Sequence, residues 1–105
     1  MPRALATPLN NETEEMTSQA VSLSAISNAR AKAYFRKHSS FRGEFNLAIA
    51  VEEDGTVKGI VAMQADGNEF RKAHISTDGS AFLGSLLYGA MVRAAMALGY
   101  KTLTL

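Results

Sequence analysis

The segment with the clearest chemical potential is a polar, glycine-containing turn that leads into a long apolar stretch. Thr77-Asp78-Gly79-Ser80 follows a strand-like segment, and the residues after it favour a helix. The first turn of a helix carries N–H groups without intrahelical partners, and its dipole favours an anion. The amides in question belong to Phe82, Leu83, Gly84 and Ser85. The alternative is purely structural: Gly79 serves the turn, and Gly84 packs against a strand.

Two histidines are the side chains best suited to acid–base chemistry, because imidazole titrates near neutral pH. His74 lies just before the turn and is a candidate catalytic base; alternatively, it is an ordinary strand histidine that faces solvent or hydrogen-bonds to the sheet. His38 is a candidate acceptor-site residue or, alternatively, a favourable group at the end of a helix. With two histidines and no cysteine, we predict no metal site.

The first part of the chain is predicted to form a strand and a helix. Apolar residues alternate with serines over 21–25, which indicates a short strand, and Ser27 is a suitable N-cap for a helix over Asn28–His38. The residues expected along one side of this amphipathic helix are Ala29, Ala33 and either Tyr34 or Lys37.

Three antiparallel strands are predicted to follow. Apolar residues alternate from Phe45 to Val51 and lead to Asp54-Gly55, a pair that adopts the positive φ angles of a tight hairpin turn. Val57–Gln64 is the predicted return strand, with Gly59 as a weak point. After a second polar break, Glu69–Ser76 is predicted as the next antiparallel strand.

The end of the chain predicts a βαβ unit. The longest helix is expected at about Phe82–Leu98, with Gly99 as the residue that ends it and Tyr100–Leu105 as a final strand. Arg93 is the only charged residue between Ala81 and Tyr100, so we expect this helix to be covered on nearly every side. The connection to a parallel strand is expected to be right-handed, and the predicted fold class is α/β (α+β).

The composition limits the class of protein. The 105 residues, of which 47% are apolar and 20% charged, indicate one globular domain, placed at residues 20–105 after a flexible leader at 1–19. The sequence contains neither an apolar run of the roughly 18–20 residues that span a membrane nor a signal peptide, so a cytoplasmic protein is expected. The net charge is +1, and no basic face runs along the long helix, so nucleic acid is not indicated as a partner.

Four separated segments carry a resemblance to a known superfamily. They are Ile75-Ser76-Thr77-Asp78-Gly79-Ser80, Ser85-Leu86-Leu87-Tyr88-Gly89-Ala90, Arg93-Ala94-Ala95 and Ala97-Leu98-Gly99-Tyr100. The pattern resembles the core of the GNAT-type N-acetyltransferases, and in particular a small bacterial and phage branch. The resemblance spans about Val21–Leu105 and is strongest from His74 to Tyr100. It implies a partial GNAT-like fold, in which antiparallel strands precede the βαβ unit.

The resemblance implies that acetyl-coenzyme A is the acyl donor. The backbone groups of Ile75, Ser76 and Thr77 would then pair with the pantetheine arm like an added strand. The pyrophosphate would rest on the amides of Phe82, Leu83, Gly84 and Ser85. In the phosphate loop of the superfamily, a glutamine or arginine is usual where this chain has Gly79, and a glycine is usual where it has Phe82.

The implied reaction is acyl transfer to a primary amine. His74 is the candidate base for the amine proton. Tyr88 is a candidate proton donor to the leaving thiolate; alternatively, it packs with its hydroxyl at the surface. The branch usually has arginine where this chain has His74, and cysteine where it has Ser76.

The resemblance also bears on assembly. The superfamily normally continues with another helix and strand beyond the position of Leu105. The resemblance therefore implies that a partner chain covers the edge left here, or that the sequence is a fragment or a naturally shortened form. An uncovered apolar edge at Thr102–Leu105 is a liability for a monomer, so we predict a homodimer. The alternative to an acyltransferase is a non-catalytic α/β module for dimerisation or protein binding.

Overall fold

The computed structural model describes residues 21–105, and the leader predicted at 1–19 lies outside them. The elements within this range are β1 (Val21–Ala25), α1 (Asn28–His38), β2 (Leu47–Glu53), β3 (Thr56–Asp66), β4 (Glu69–Thr77), α2 (Ala81–Ala97) and β5 (Leu103–Thr104). The strands form one sheet in the order β1-β2-β3-β4-β5. Neighbouring strands are antiparallel except β4 and β5, which are parallel. The predicted arrangement of antiparallel strands followed by a βαβ unit is confirmed.

The tight turn between β2 and β3 has the predicted geometry. Asp54 and Gly55 have φ angles of 55° and 81°, and they connect the pair formed by Glu53 and Thr56. Positive φ at both central positions matches the twist of the flanking strands. This turn therefore fixes the register of the hairpin.

Gly59 occupies a crowded position in β3. A Cβ atom there would lie 2.9 Å from Thr77 Cγ2, 3.0 Å from the Ser76 carbonyl oxygen and 3.1 Å from Leu87 Cδ1. Both β4 and α2 thus approach the backbone of β3 closely at this residue. The predicted weak point is a position where close packing requires glycine.

A β-bulge in β4 determines where His74 points. Met63 of β3 is opposite Lys72 and Ala62 is opposite His74, so Ala73 is an additional residue on β4. Ala73 packs against the core on the α1 side of the sheet, and the His74 ring contacts aromatic rings on the same side. The bulge therefore directs two successive side chains toward α1, which an uninterrupted strand does not do.

Helix α1 covers one face of the sheet, but the side that it buries differs from the predicted one. The Ser27 hydroxyl accepts a hydrogen bond from the Arg30 N–H at 3.2 Å, as expected for an N-cap. The buried residues are Ala31 and Phe35, whereas the predicted Ala29, Ala33 and Lys37 are exposed and Tyr34 is half-buried. The prediction was wrong because the helix is oriented by Phe35, whose ring packs against other aromatic rings.

Helix α2 covers the opposite face of the sheet with one side only. Its buried residues are Leu83, Leu87, Ala90, Met91 and Ala95. On its other side Phe82 is 53% exposed, Tyr88 43% and Met96 70%. The prediction that this helix is covered on nearly every side is thus wrong for the part of the chain that the structure describes.

The C-terminus of α2 has the expected glycine. Gly99 has a φ of 89°, and its N–H donates to the Met96 carbonyl at 3.0 Å. The Tyr100 N–H donates to the Ala95 carbonyl at 3.0 Å, which completes a Schellman motif.

The last strand is shorter than predicted. β5 pairs with only the first part of β4, through Phe70 with Leu103 and Arg71 with Thr104. Within residues 21–105, β4 therefore has no neighbouring strand on this side over its carboxyl half. Neither described helix combines the length and apolar character needed to cross a membrane.

Candidate functional site

The carboxyl half of β4 presents backbone groups at an open edge. The Asp78 N–H donates to the Lys58 carbonyl at 2.8 Å, so the backbone of Asp78 points toward β3. Because the direction alternates along an antiparallel strand, Ser76 points the same way, whereas Ile75 and Thr77 direct their N–H and C=O groups outward. Ile75 and Thr77 are thus placed to pair with an extended ligand, and the backbone of Ser76 is used within the sheet.

The first turn of α2 lies directly after this edge. The helix begins at Ala81, and the Gly84 N–H already donates to the Ser80 carbonyl at 3.3 Å. The free amides of the first turn are therefore those of Ala81, Phe82 and Leu83. The predicted set, residues 82–85, began one residue too late and ended two residues too late, because the amides of Gly84 and Ser85 lie within the helical hydrogen-bonding pattern.

The space beside this turn is open. A Cβ atom added to Gly79 or Gly84 would meet no heavy atom within 4 Å. Gly79 has a φ of 84° and does serve the turn. The alternative interpretation of Gly84, that it packs against a strand, is wrong. Together, the edge of β4 at Ile75 and Thr77 and the free amides of residues 81–83 form what we call the donor notch.

One ion pair borders the donor notch. Lys58 Nζ lies 3.3 Å from Asp78 Oδ2, and the Asp78 side chain is the more exposed of the two. The carboxylate places negative charge close to the free amides, and the ammonium group offsets it. Since both groups contact solvent, the pair contributes little to stability.

The His74 ring is held on the α1 side of β4. Its Nε2 atom lies 3.0 Å from the Ser39 hydroxyl oxygen. The Phe41 ring stacks on the imidazole with centroids 4.6 Å apart and an interplanar angle of 4°, and the Phe35 ring meets it edge-on at 5.4 Å. Burial, and to a lesser degree the Lys72 ammonium, lower the pKa of His74 below its usual value. The imidazole is therefore neutral near pH 7 and able to accept a proton.

This lowered pKa predicts a pH dependence of stability. Because the unfolded chain binds a proton on His74 more tightly than the folded chain, the contribution of neutral His74 is fully present above about pH 6.5 and is lost as the pH falls through the folded pKa. We expect the melting temperature of a His74→Gln variant to fall less between pH 7.5 and pH 5 than that of the unsubstituted chain. Equal slopes for the His74→Gln variant and the original chain would contradict the prediction.

Tyr88 and His74 are on opposite sides of the sheet. Tyr88 belongs to α2, and its side chain is 43% exposed, whereas the His74 ring contacts residues of α1 and the loop that follows it. The structure does not bring these two predicted residues together as an acid–base pair.

Two polar side chains on the α1 side of the sheet were not identified from the sequence as site residues. Ser39 is the C-cap of α1 and reaches His74 across 35 positions of sequence separation. The Tyr34 hydroxyl is buried without a hydrogen-bond partner among the described residues, and burial together with Asp78 raises the pKa of this phenol. No local pattern marks either residue, because their environment depends on how α1 packs on the sheet.

A shallow cavity of about 190 Å³ lies beside the same aromatic rings. It is lined by Lys32, Phe35, Arg36, Phe41, Arg42, Gly43, Glu44 and Phe45. The Arg42 guanidinium is already engaged, since it donates to the Phe41 and Ser39 carbonyls at 2.8 and 3.0 Å. Arg42 thus connects the loop to the end of α1.

Within residues 21–105, no three or more histidine, cysteine, aspartate or glutamate side chains are grouped so that they could hold a metal ion.

No protein-family model matches the chain, and no curated protein matches it by sequence. Solved structures do resemble it. The ribosomal-protein-S18-alanine N-acetyltransferase from Escherichia coli has a TM-score of 0.65 at 17% identity, covering 79% of this chain and 64% of that enzyme. A ribosomal-protein-alanine N-acetyltransferase from Brucella melitensis biovar Abortus 2308 has a TM-score of 0.61 at 15% identity, covering 81% and 78%.

N-acetylglutamate synthase from Neisseria gonorrhoeae, solved with coenzyme A and N-acetyl-glutamate, has a TM-score of 0.62 at 18% identity, covering 79% of this chain and 24% of that protein. The chain thus spans less than two thirds of the length of the Escherichia coli enzyme. At these identities the similarity concerns the fold. The chain has the fold of the GNAT-type N-acetyltransferases, as the sequence resemblance implied.

Proposed function

We propose that this chain binds acetyl-coenzyme A in the donor notch and transfers the acetyl group to a primary amine. The proposal depends on one observation: two sets of backbone groups without hydrogen-bond partners in the sheet or helix lie next to each other beside open space. The outward N–H and C=O groups of Ile75 and Thr77 lie at the end of β4, and the free amides of Ala81–Leu83 follow directly after the turn. Gly79 and Gly84 have no side chains that would fill the space beside these groups.

The two sets suit different parts of the donor. The pantetheine arm carries amide groups that can pair with Ile75 and Thr77 as an added strand does. The diphosphate carries negative charge that favours the N-terminus of α2. Phe82, which stands where the superfamily usually has glycine, keeps half of its side chain exposed, and its amide is one of the three proposed donors.

The proposed reaction needs few side chains. The amine nitrogen attacks the thioester carbonyl carbon, a C–N bond forms, the C–S bond breaks, and coenzyme A leaves as a thiolate. An outward N–H of β4 stabilises the negative charge that develops on the carbonyl oxygen. His74 is the proposed acceptor of the amine proton, and Tyr88, from the opposite side of the sheet, is the proposed donor to the thiolate.

The test is a titration with acetyl-coenzyme A followed by thermal unfolding. At a donor concentration of 100 times the dissociation constant, bound donor stabilises the chain by about 2.7 kcal/mol. We expect a Gly84→Trp substitution to remove this stabilisation because the indole fills the donor notch, although the open space tolerates the substitution in the folded chain.

Two further variants serve as controls. Gly84→Ala is expected to stabilise the chain by about 0.5–1 kcal/mol, since glycine is unfavourable inside a helix and the added methyl group meets no atom. Asn68→Trp, at an exposed turn by the opposite end of β4, is expected to leave the response to acetyl-coenzyme A intact. If the original chain shows no saturable response, the proposed function is wrong.

A second candidate function is that of a dimerisation or protein-binding module. It is favoured by the outer side of α2, where large apolar side chains are exposed and Arg93 is the one charged residue, and by Leu105, which is 62% exposed. We propose that the partner on this surface is a second copy of the chain, because burying such side chains is favourable. Sedimentation velocity is expected to show a dimer, and a clean monomer at high concentration would count against it.

A further inference from the structure

Ser39 is held in a defined position at the end of α1. Its N–H donates to the Phe35 carbonyl at 2.8 Å as the C-cap of the helix. Its hydroxyl oxygen accepts a hydrogen bond from the Phe41 N–H at 3.0 Å. Two backbone hydrogen bonds thus fix the residue and the direction of its side chain, while the residue stays half-buried.

The Ser39 hydroxyl forms a hydrogen bond with one nitrogen of the His74 imidazole. The hydroxyl oxygen accepts from the Phe41 N–H and lies 3.0 Å from His74 Nε2. When the neutral imidazole carries its proton on Nδ1, Nε2 accepts the Ser39 O–H. The stacked Phe41 ring and the edge-on Phe35 ring fix the plane of the imidazole. A hydroxyl within hydrogen-bond reach of an oriented base is the arrangement that activates a nucleophilic serine.

We propose that Ser39 is an acyl-acceptor site of this chain, with His74 as its base. The Ser39 oxygen attacks the carbonyl carbon of a thioester while the hydroxyl proton moves to His74 Nε2. A C–O bond forms, the C–S bond breaks, and the departing thiolate takes the proton from the imidazolium, so the products are an O-acyl-serine and a free thiol. The choice of a thioester as the acyl donor rests on the proposed function. The activation of the Ser39 hydroxyl by His74 does not depend on that function.

Ser40 provides a matched comparison within the same loop. It is the next residue along the chain and is exposed, and among the described residues it makes no hydrogen bond to an imidazole nitrogen. If simple accessibility governed acylation, Ser40 would react first. The structure therefore predicts selectivity for the less exposed of two adjacent serines.

The experiment exposes the full chain separately to acetyl-coenzyme A and to p-nitrophenyl acetate, followed by peptide mass mapping. We expect one acetyl group on Ser39 that hydroxylamine removes, as it removes oxygen esters. Ser39→Ala is expected to abolish this label, and Ser40→Ala to leave it unchanged. His74→Gln is expected to lower the rate by about 10²–10⁴-fold, the usual contribution of a positioned base.

A thiol version keeps the test valid if His74→Gln unfolds the chain. The protein has no cysteine, so Ser39→Cys and Ser40→Cys each introduce a unique thiol. Because a neighbouring imidazole promotes formation of the reactive thiolate, we expect Ser39→Cys to react with iodoacetamide about 10-fold or more faster than Ser40→Cys. Equal rates, or a faster reaction of Ser40→Cys, would overturn the proposal.

The remaining outcomes separate this inference from the proposed function. Acetylation of Ser39 by p-nitrophenyl acetate alone, with no thermal response to acetyl-coenzyme A, supports the activated serine and refutes the donor notch. A saturable response to acetyl-coenzyme A without a label on Ser39 from either reagent refutes the activated serine and leaves the donor notch standing.

Discussion

Replacing Phe35 by alanine is expected to destabilise the chain by about 3–5 kcal/mol, the usual cost of deleting a buried phenylalanine ring. Phe35 is 1% exposed, and its ring contacts those of Tyr34, Phe41, Phe45 and His74 at centroid distances of 5.4–6.2 Å. Since Ala31 is the only other buried residue of α1, the substitution removes most of what holds this helix on the sheet. Domains of this size have a total stability of about 5–15 kcal/mol, so the loss is a large fraction of it.

Urea unfolding measures this loss of stability, and two further variants serve as comparisons. Phe35→Leu retains an apolar side chain and is expected to cost clearly less than alanine. Phe82→Ala removes the same ring from an exposed site and is expected to change stability by less than about 0.5 kcal/mol. A similar loss for Phe35→Ala and Phe82→Ala would contradict the packing of α1 described above.

The second large effect is expected at Gly59, where alanine should destabilise the chain by about 1–3 kcal/mol. The added Cβ would lie 3.0 Å from the Ser76 carbonyl oxygen and 2.9 Å from Thr77 Cγ2. Thr77 can rotate its side chain, but the Ser76 carbonyl belongs to a paired strand and moves only with it. The carboxyl end of β4 must therefore shift, so we also expect weaker binding of acetyl-coenzyme A.

Gly84→Ala is the matched comparison for this substitution. Both positions are glycines with ordinary φ angles, but a Cβ at Gly84 meets no atom within 4 Å. We expect urea denaturation to show that Gly59→Ala lowers the free energy of unfolding and that Gly84→Ala raises it. If Gly59→Ala stabilised the chain, the close approach of β3, β4 and α2 would not exist as described.

The elements that could be predicted from the sequence are those encoded by short-range signals. The turn at Asp54-Gly55 and the helix end at Gly99 depend on backbone angles that few residues adopt, so their positions follow from residue type. Alternation of apolar residues gave the strands for a similar local reason. The length of β5 was not predictable in this way, because pairing of a parallel strand depends on its neighbour.

The orientation of both helices was not predictable from their own residues. In α1 several alanines offer alternative apolar sides, and the choice is made by one ring, Phe35, that meets Phe41 and Phe45 from the following loop. In α2 nearly every residue is uncharged, so composition does not distinguish the buried side from the outer side.

In the candidate site, too, local features could be predicted from the sequence and long-range contacts could not. The turn with Gly79 before a helix was expected because it is a local feature, whereas the free amides are those of residues 81–83 and not of the predicted 82–85. The contact between Ser39 and His74 was not expected, because it joins a helix end to a bulged strand across 35 positions. The bulge at Ala73 that aims His74 toward α1 likewise depends on the register with β3.

The strands lie in the sheet in the same order as they occur along the chain, and this has a consequence for folding. Contacts between segments close in sequence form fastest, so the β2–β3–β4 meander, joined by tight turns, is expected to form early in the folding reaction. Helix α2 then docks on a surface that already exists. The donor notch, which combines the edge of β4 with the first turn of α2, is accordingly assembled late, after the nucleus of the domain is in place.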